Sequence, residues 1–504
     1  MHTFAFVDFS VRPPQSSMIK FREQGVWRDE TLIHDLARWR AERPDGLAII
    51  ARQVDEGVTT RLTYREYAQR VEQFAGALRE LGVGPGDVVA LQLPNVWQLP
   101  VLLLAGFHVG ATVAPIMPSI RSRELERMLQ RVEPSVFVTD TEAFESSPYS
   151  LALEDTSADP DRVSLVMFTS GTTGEPKAAL HTLNTWGAYQ VYAAGVTPST
   201  PDNRTYMPHT LTHAGAIGTL LIRPVLDGTC ALLTDVWAPG PVARFLSEVD
   251  VTGVVAAPFF LTGLVAEAPK LPNLRYVTAT GTPAPAQLIT DVRAVLGVRL
   301  GTAWAMTEAA GTFIRPDDPD DWIRHSVGRP IDGDELDIRD GRLFIRGAGV
   351  CLATLSRDSG ELSVIDDWYD TGDLAEWDGR GGIKIVGRIA ERIGGPGMIP
   401  VADVESALLE HPGVEEVAMV GYPDGSGGQL PAAFVVAADP APTLAELRDH
   451  LAALGMTEWY WPSRLELVAA LPRNALGKVR KDALARELDI HAAAAPVMDG
   501  QIPG

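Results

Sequence analysis

The residues best suited to handle a phosphate chain stand together at Thr169-Ser170-Gly171-Thr172-Thr173-Gly174-Glu175-Pro176-Lys177, directly after the apolar run 163–168. Glycines let a backbone approach a polyanion, hydroxyls and N–H groups donate to it, and the lysine adds a positive charge. The spacing Gly-x-x-Gly-x-x-Lys does not fit the Walker pattern, in which lysine and a hydroxyl residue directly follow the second glycine. By composition alone, a plain surface turn explains the segment equally well.

Three further segments add to it. Trp304-Ala305-Met306-Thr307-Glu308 sets a hydroxyl beside a carboxylate after a predicted strand; Mg²⁺ is a hard ion usually held by one or two carboxylates together with phosphate oxygens. Tyr369-Asp370-Thr371-Gly372-Asp373 places carboxylates around a glycine, and a carboxylate acceptor suits a ribose diol. Pro472-Arg473-Asn474-Ala475-Leu476-Gly477-Lys478 presents a lysine on a turn. Taken singly, Glu308 and Lys478 are ordinary solvated charges.

The elements that must position these groups follow from patterning. Thr63 and Glu66 form a capping box, and Tyr67, Val71, Phe74, Leu78 and Leu81 then recur at helical spacing. Strands are predicted at 88–93, 112–116, 135–139, 163–168, 253–257 and 275–279, alternating with helices, so the sheet should be mainly parallel, and this texture continues to about residue 386. Residues 142–162 are polar and turn-rich, which predicts a surface connection. From Gly387 the texture changes to a compact α+β unit with a helix at 404–409, strands at 414–420 and 430–437, a capped helix at Thr443-Leu444-Ala445-Glu446 and a last helix at 478–488. The expected architecture is α/β: a large N-terminal domain (1–386) of mixed, mostly parallel sheets with helices, plus a small α+β C-terminal domain (387–504).

Length, composition and charge bound the rest. A chain of 504 residues exceeds one core, and its 46% hydrophobic and 21% charged residues are ordinary for a soluble protein. A net charge of -22 argues against a nucleic-acid partner, whose phosphates need clustered Lys and Arg. Cys230 and Cys351 lie in apolar runs and read as buried reduced thiols, too few for a disulfide framework or a zinc site. The uncharged run 99–116 contains Pro100, Gly106, His108, Gly110 and Pro115, which suits a buried helix–turn–strand better than a membrane span. The opening residues lack a secretory pattern, so a cytoplasmic, reducing location is expected. Monomer and homodimer both remain open.

In this order TSGTTGEPK, YDTGD and PRNALGK make the chain resemble, over nearly its whole length, the superfamily of adenylate-forming enzymes. That superfamily contains acyl- and aryl-CoA synthetases, adenylation domains of nonribosomal peptide synthetases and firefly luciferase. The resemblance implies ATP, Mg²⁺ and coenzyme A as cofactors and a small carboxylic acid as substrate. It implies that Thr169 to Lys177 is the phosphate loop, with Thr307 on the α-phosphate and Glu308 on Mg²⁺. Gly281-Thr282-Pro283 and Ala303, Trp304 and Ala305 would flank adenine, Asp373 would bind ribose with Arg388 nearby, and Lys478 would reach the α-phosphate and the carboxylate during adenylation. The resemblance also implies that the small C-terminal domain is mobile, hinged near 388–392, and rotates between half-reactions. His209 or His213, in Met207-Pro208-His209-Thr210-Leu211-Thr212-His213-Ala214-Gly215, would line the acid pocket with Gly281 and Trp304; a packed histidine is the alternative for each.

Departures limit these implications. Trp304 and Ala305 replace the usual aromatic-Gly pair, and Ala178 stands where glycine is usual. At the junction Ala390 replaces a lysine, Glu391 the usual Asp, and Pro396 enters the glycine loop. That region normally serves the thioester step, so an acyl carrier protein or another nucleophile is the alternative acceptor to coenzyme A. The opening residues 21–31 and Ile399-Pro400-Val401 are most similar to branches using aromatic, alicyclic or medium acyl acids. No acidic residue is placed to capture an α-amino group. A non-catalytic nucleotide-binding protein is the remaining reading, and Lys177, Glu308, Asp373 and Lys478 argue against it.

Overall fold

The computed structural model describes residues 9–120, 122–169, 177–197, 199–282, 284–309, 311–355, 362–388, 393, 399, 401–423, 429–456, 458–474 and 477–494. The chain divides into two compact units. The larger is built from the chain up to Ala284 with Leu288–Thr371 and Trp377–Lys384; the smaller from Pro285–Gln287, Gly372–Glu376 and the chain from Ile385 onward.

Among the described residues the larger unit holds a nine-stranded and a seven-stranded sheet. In the nine-stranded sheet Leu300–Trp304, Tyr276–Thr280, Gly253–Ala256, Arg204–Tyr206, Cys230–Thr234 and Leu47–Gln53 run parallel, with antiparallel strands at both edges. In the seven-stranded sheet Val163–Thr169 pairs in parallel with Thr112–Pro115 and folds back antiparallel onto Lys177–Thr182. This is the βα alternation expected from the sequence. The helix Tyr64–Glu80 has the expected capping box, with Glu66 N–H donating to Thr63 Oγ1 at 3.2 Å and the Thr63 N–H donating to Glu66 Oε2 at 2.8 Å. Its buried stripe includes Tyr67, Val71, Phe74 and Leu78.

The run 99–116 is a buried helix, Gln98–His108, turning into the buried strand Thr112–Pro115. No described helix is long and apolar enough to cross a membrane.

Three expectations need correction. The parallel texture does not reach residue 386: Asp334–Arg339 and Arg342–Gly347 form an antiparallel hairpin, joined in one sheet with Tyr369–Trp377 and Ile383–Arg388. Its cause is local, because Asp340 (φ 49°) and Gly341 (φ 76°) supply the two left-handed residues of a tight hairpin turn. Nor is 142–162 a purely surface connection. Phe144 is buried with its ring centroid 5.5 Å from that of Phe74, and Leu153 is buried in the same core. Third, the last helix begins at Lys481 rather than Lys478.

The smaller unit carries the helix Val401–Leu409, the sheet of Val414–Pro423, Gln429–Ala437 and Arg464–Leu467, and the helix Leu444–Ala453 capped by Thr443. Ile393, Val404, Leu408, Met419, Val435, Leu447 and Leu451 belong to one core cluster.

Candidate active site

The site in the larger unit is built where its two sheets meet. In the seven-stranded sheet, Thr169 and Lys177 pair across the mouth of segment 170–176. Ser170, Gly171, Thr172, Thr173 and Gly174 lie outside the described residues, as do the side chain of Thr169 and Pro283. In the nine-stranded sheet, Thr280 and Ala303 are register partners at the C-terminal ends of neighbouring parallel strands. Such ends are where open α/β sheets bind ligands. Gly281 follows with φ 88° and open space where a Cβ would stand, and Thr282 and Ala305 are exposed. Trp304 is buried, and its ring occupies the space a side chain at Gly311 would need.

Beyond Trp304 the chain leaves its sheet, and Thr307-Glu308 is held by the other one. Cys351 N–H donates to the Glu308 carbonyl at 2.8 Å, and His181 Nε2 lies 2.8 Å from the Thr307 carbonyl oxygen. This brings Lys177 Nζ to 2.9 Å from Glu308 Oε1. The Tyr369 hydroxyl accepts from Lys177 and donates to Glu308 Oε1 at 3.3 Å. Burial first, and then the Glu308 charge, push the Tyr369 phenol above its ordinary range, so it remains a donor. Buried Glu308 therefore already faces a cation, and one carboxylate aimed at positive charge fits a hard ion whose remaining ligands are phosphate oxygens. Among the described residues no group of three or more His, Cys, Asp or Glu side chains gathers into a metal site.

His209 and His213 stack with ring centroids 5.0 Å apart, and Phe260 meets His209 edge-on at 5.0 Å. Trp237 extends this wall by an edge contact with Phe260 at 5.1 Å. Burial lowers the His213 pKa to about 4, so its ring is neutral near pH 7. Both histidines thus belong to one apolar, aromatic surface. The two cysteines are buried and burial raises both thiols, Cys230 to about 12, which makes them inert.

Asp373 and Arg388 lie on Tyr369–Trp377 and Ile383–Arg388, and Asp373 is buried. Gly372, at φ 73°, breaks the strand's alternation, so Asp373, Leu374 and Ala375 are buried in a row. The side chain of Arg388, together with residues 389–392 of the expected hinge and Gly394 to Gly397, falls outside the described residues. In the smaller unit Lys478 sits on a turn fixed through Asn474: Lys478 N–H donates to Asn474 Oδ1 at 3.0 Å, and Asn474 N–H to the Lys478 carbonyl at 2.9 Å. Arg473 ties that turn down, donating to the Gly477 carbonyl at 2.8 Å and to Glu416 at 2.7 Å.

Sequence reasoning assigned no role to Tyr369 or His181. Tyr369 opens the YDTGD motif and could have been flagged for that reason; His181 carries no such signal, because its partner Thr307 lies far away in the chain, beyond the end of a strand of the other sheet.

Residues 36–351 match the AMP-binding enzyme family, and residues 403–478 match the AMP-binding enzyme C-terminal domain. The chain is 30% identical to a salicyl-AMP ligase / salicyl-S-ArCP synthetase of Mycobacterium tuberculosis, over 95% of this chain and 94% of that one. It is 29% identical to a feruloyl-CoA synthase of an Amycolatopsis species, over 85% and 94%. Its fold is similar to that of the anthranilate CoA ligase AuaEII solved with anthranoyl-AMP, with a TM-score of 0.83, 21% identity and coverage of 93% and 98%. With Lys177 set against Glu308 beyond the ends of parallel strands, the match of residues 36–351 and the likeness to these relatives over most of the chain place it in the AMP-binding enzyme family of adenylate-forming ligases.

Proposed function

We propose that the protein activates a small aromatic, alicyclic or medium acyl acid with ATP and passes the acyl group to the thiol of coenzyme A. The observation that carries the reading is the contact of Lys177 with Glu308, which joins the phosphate-loop hairpin to the segment expected to face the nucleotide. In the first half-reaction a carboxylate oxygen of the acid bonds to the α-phosphorus, and the bond to pyrophosphate breaks. Both reactants are anions, so the step depends on fixed donors and cations.

Lys177 and the donors of Ser170 to Gly174 would hold the β- and γ-phosphates, Thr307 the α-phosphate, and Asp373 the ribose. Gly281, Thr282, Pro283, Ala303, Trp304 and Ala305 would enclose adenine. Mg²⁺ would be held by Glu308 and would supply neutralisation of phosphate charge. Lys478 would offset charge at the reacting carboxylate and α-phosphate. In the second half-reaction the thiolate sulfur bonds to the acyl carbon and AMP leaves with the bridging oxygen. A domain rotation about 388–392, with Arg388 at the junction, would exchange Lys478 for the thiol entry. The stacked rings of His209 and of neutral His213 support an apolar planar acid.

One specific feature favours a second acceptor. Ala390 and Glu391 depart from the usual junction, and a relative matched along almost the whole chain is named a salicyl-AMP ligase / salicyl-S-ArCP synthetase. The test is acid-dependent pyrophosphate release over a panel of aryl, alicyclic and aliphatic acids, with coenzyme A or a phosphopantetheinylated carrier protein, and products identified by mass. Acyl-CoA establishes the first reading, acyl-carrier alone the second, and no acid-dependent pyrophosphate with any acid would overturn both.

A further inference from the structure

The segment Thr307-Glu308 faces a structural problem. It has left the nine-stranded sheet after Trp304, so that sheet's ladder no longer satisfies its carbonyls, yet Glu308 is buried and Thr307 half-buried; the Glu308 carbonyl accepts from Cys351 N–H at 2.8 Å. A buried carbonyl needs a donor. For Thr307 that donor comes from the other sheet: His181, on the strand Lys177–Thr182, with Nε2 2.8 Å from the Thr307 oxygen. A carbonyl only accepts, so Nε2 carries the proton and Nδ1 is the acceptor. Thr185 Oγ1 lies 3.1 Å from Nδ1 and itself accepts from Thr182 N–H at 2.9 Å. Trp186 closes the remaining side edge-on at 4.6 Å. The Thr185 hydroxyl proton is shared between Nδ1 and the Thr182 carbonyl at 3.2 Å, and the tautomer is set by the Thr307 carbonyl, which can only accept.

We propose that His181 is a positioning residue for the adenylation site, holding the Thr307 carbonyl so that Thr307 and Glu308 are presented to the magnesium nucleotide. This rests on the function proposed above. A histidine serving only to fill the core would need no donor aimed at this carbonyl, and a leucine would pack as well against Trp186. Burial holds the imidazole pKa at about 4, so the ring stays neutral and the tautomer persists at physiological pH. The strand that bears His181 begins with Lys177, so one strand both contacts the Glu308 side chain and clamps the carbonyl preceding it. Losing the clamp should let the dipeptide rotate and misdirect both side chains at once.

The test compares His181→Leu with His181→Gln, whose amide N–H has nearly the reach of Nε2. Two readouts are needed: the rise in Tm caused by MgATP, which requires no turnover, and the kinetics of acid-dependent pyrophosphate release. For His181→Leu the Mg²⁺ and ATP concentrations required should rise about tenfold to hundredfold, as when an outer partner of a ligand is lost. The KM for the acid should stay within about twofold, because the acid pocket is separate. His181→Gln should recover most of the loss. If His181→Leu does not fold, His181→Asn takes its place, since it keeps a polar group near Thr185 but is too short to reach Thr307. A folded Leu or Asn variant with an unchanged MgATP response, or a Gln variant as impaired as Leu, overturns the proposal. If wild type binds MgATP but activates no acid, the function reading falls, while the binding comparison still decides the role of His181.

Discussion

Lys177 Nζ lies 2.9 Å from Glu308 Oε1, and the Tyr369 hydroxyl touches both. The three side chains come from a hairpin of one sheet, the segment following a strand of another, and a third sheet. Their ammonium, carboxylate and phenol form a self-satisfied set in which each group has a partner. A triphosphate would draw the lysine outward, and a hard cation would take its place on the carboxylate.

Glu308→Gln removes the charge while keeping the shape. Acid-dependent pyrophosphate release should fall by about 10²-fold, the scale for losing one preorganised electrostatic contact, and its Mg²⁺ titration should move to higher concentration. Tyr369→Phe should move both in the same direction, but less. An unchanged Mg²⁺ titration in Glu308→Gln would remove Glu308 from the metal-binding role.

Lys478→Ala should lower adenylate formation by at least ~10²-fold, while thioester formation from supplied acyl-AMP suffers less. Asn474 fixes the Lys478 turn through two hydrogen bonds, so Asn474→Ala should reproduce the pattern at smaller amplitude. Equal losses in both half-reactions would deny Lys478 a step-specific role.

Trp304→Gly should change the rank order of acids accepted, since Trp304 ends its strand directly after Ala303, the register partner of Thr280, which precedes Gly281. Gly311→Ala tests the packing that fixes the indole. Its Cβ would fall 2.2 Å from Trp304 Cε3 and 2.3 Å from the Trp304 carbonyl. Overpacking of this kind costs about 1–3 kcal/mol, measurable by denaturant unfolding. An unaltered acid ranking in Trp304→Gly would separate this residue from specificity.

Stability should vary with pH through groups of opposite sign. Asp334 is buried, and its pKa is raised to about 8 although Gly349 and Ala348 N–H groups donate to it. The native state therefore holds a proton that the unfolded chain releases near pH 4, so this contribution is full below about pH 4 and is lost as pH rises toward 8. His181 and His213, lowered to about 4, act oppositely. The unfolded chain binds their protons below about pH 6.5, so stability is lost as pH falls from there to 4. Asp334→Asn should flatten the decline between pH 6 and 8 in chemical-denaturation profiles and leave the acid limb in place. A variant whose profile parallels wild type would refute the assignment.

What the amino-acid sequence determined by itself is what neighbouring residues decide among themselves. The capping boxes at Thr63 and Thr443, the amphipathic stripe from Tyr67 to Leu78, and the buried helix–strand at 98–115 all follow from local spacing and side-chain chemistry. The Asp340-Gly341 turn was equally legible, yet the run of parallel strands before it concealed the change to an antiparallel sheet. The order of TSGTTGEPK, YDTGD and PRNALGK was enough to point to the family.

Tertiary structure alone decided which of these segments touch. The Lys177–Glu308–Tyr369 set, the packing of His209 and His213 against Phe260, and the hold of His181 on Thr307 depend on how separate elements pack. Apart from the stacking of His209 on His213, four residues away, these contacts join residues far apart in the chain and leave no periodicity behind. His181 shows the difference most plainly: its neighbours in sequence mark it as one residue of a buried strand, and only the segment beyond Trp304 supplies the carbonyl that makes it a clamp.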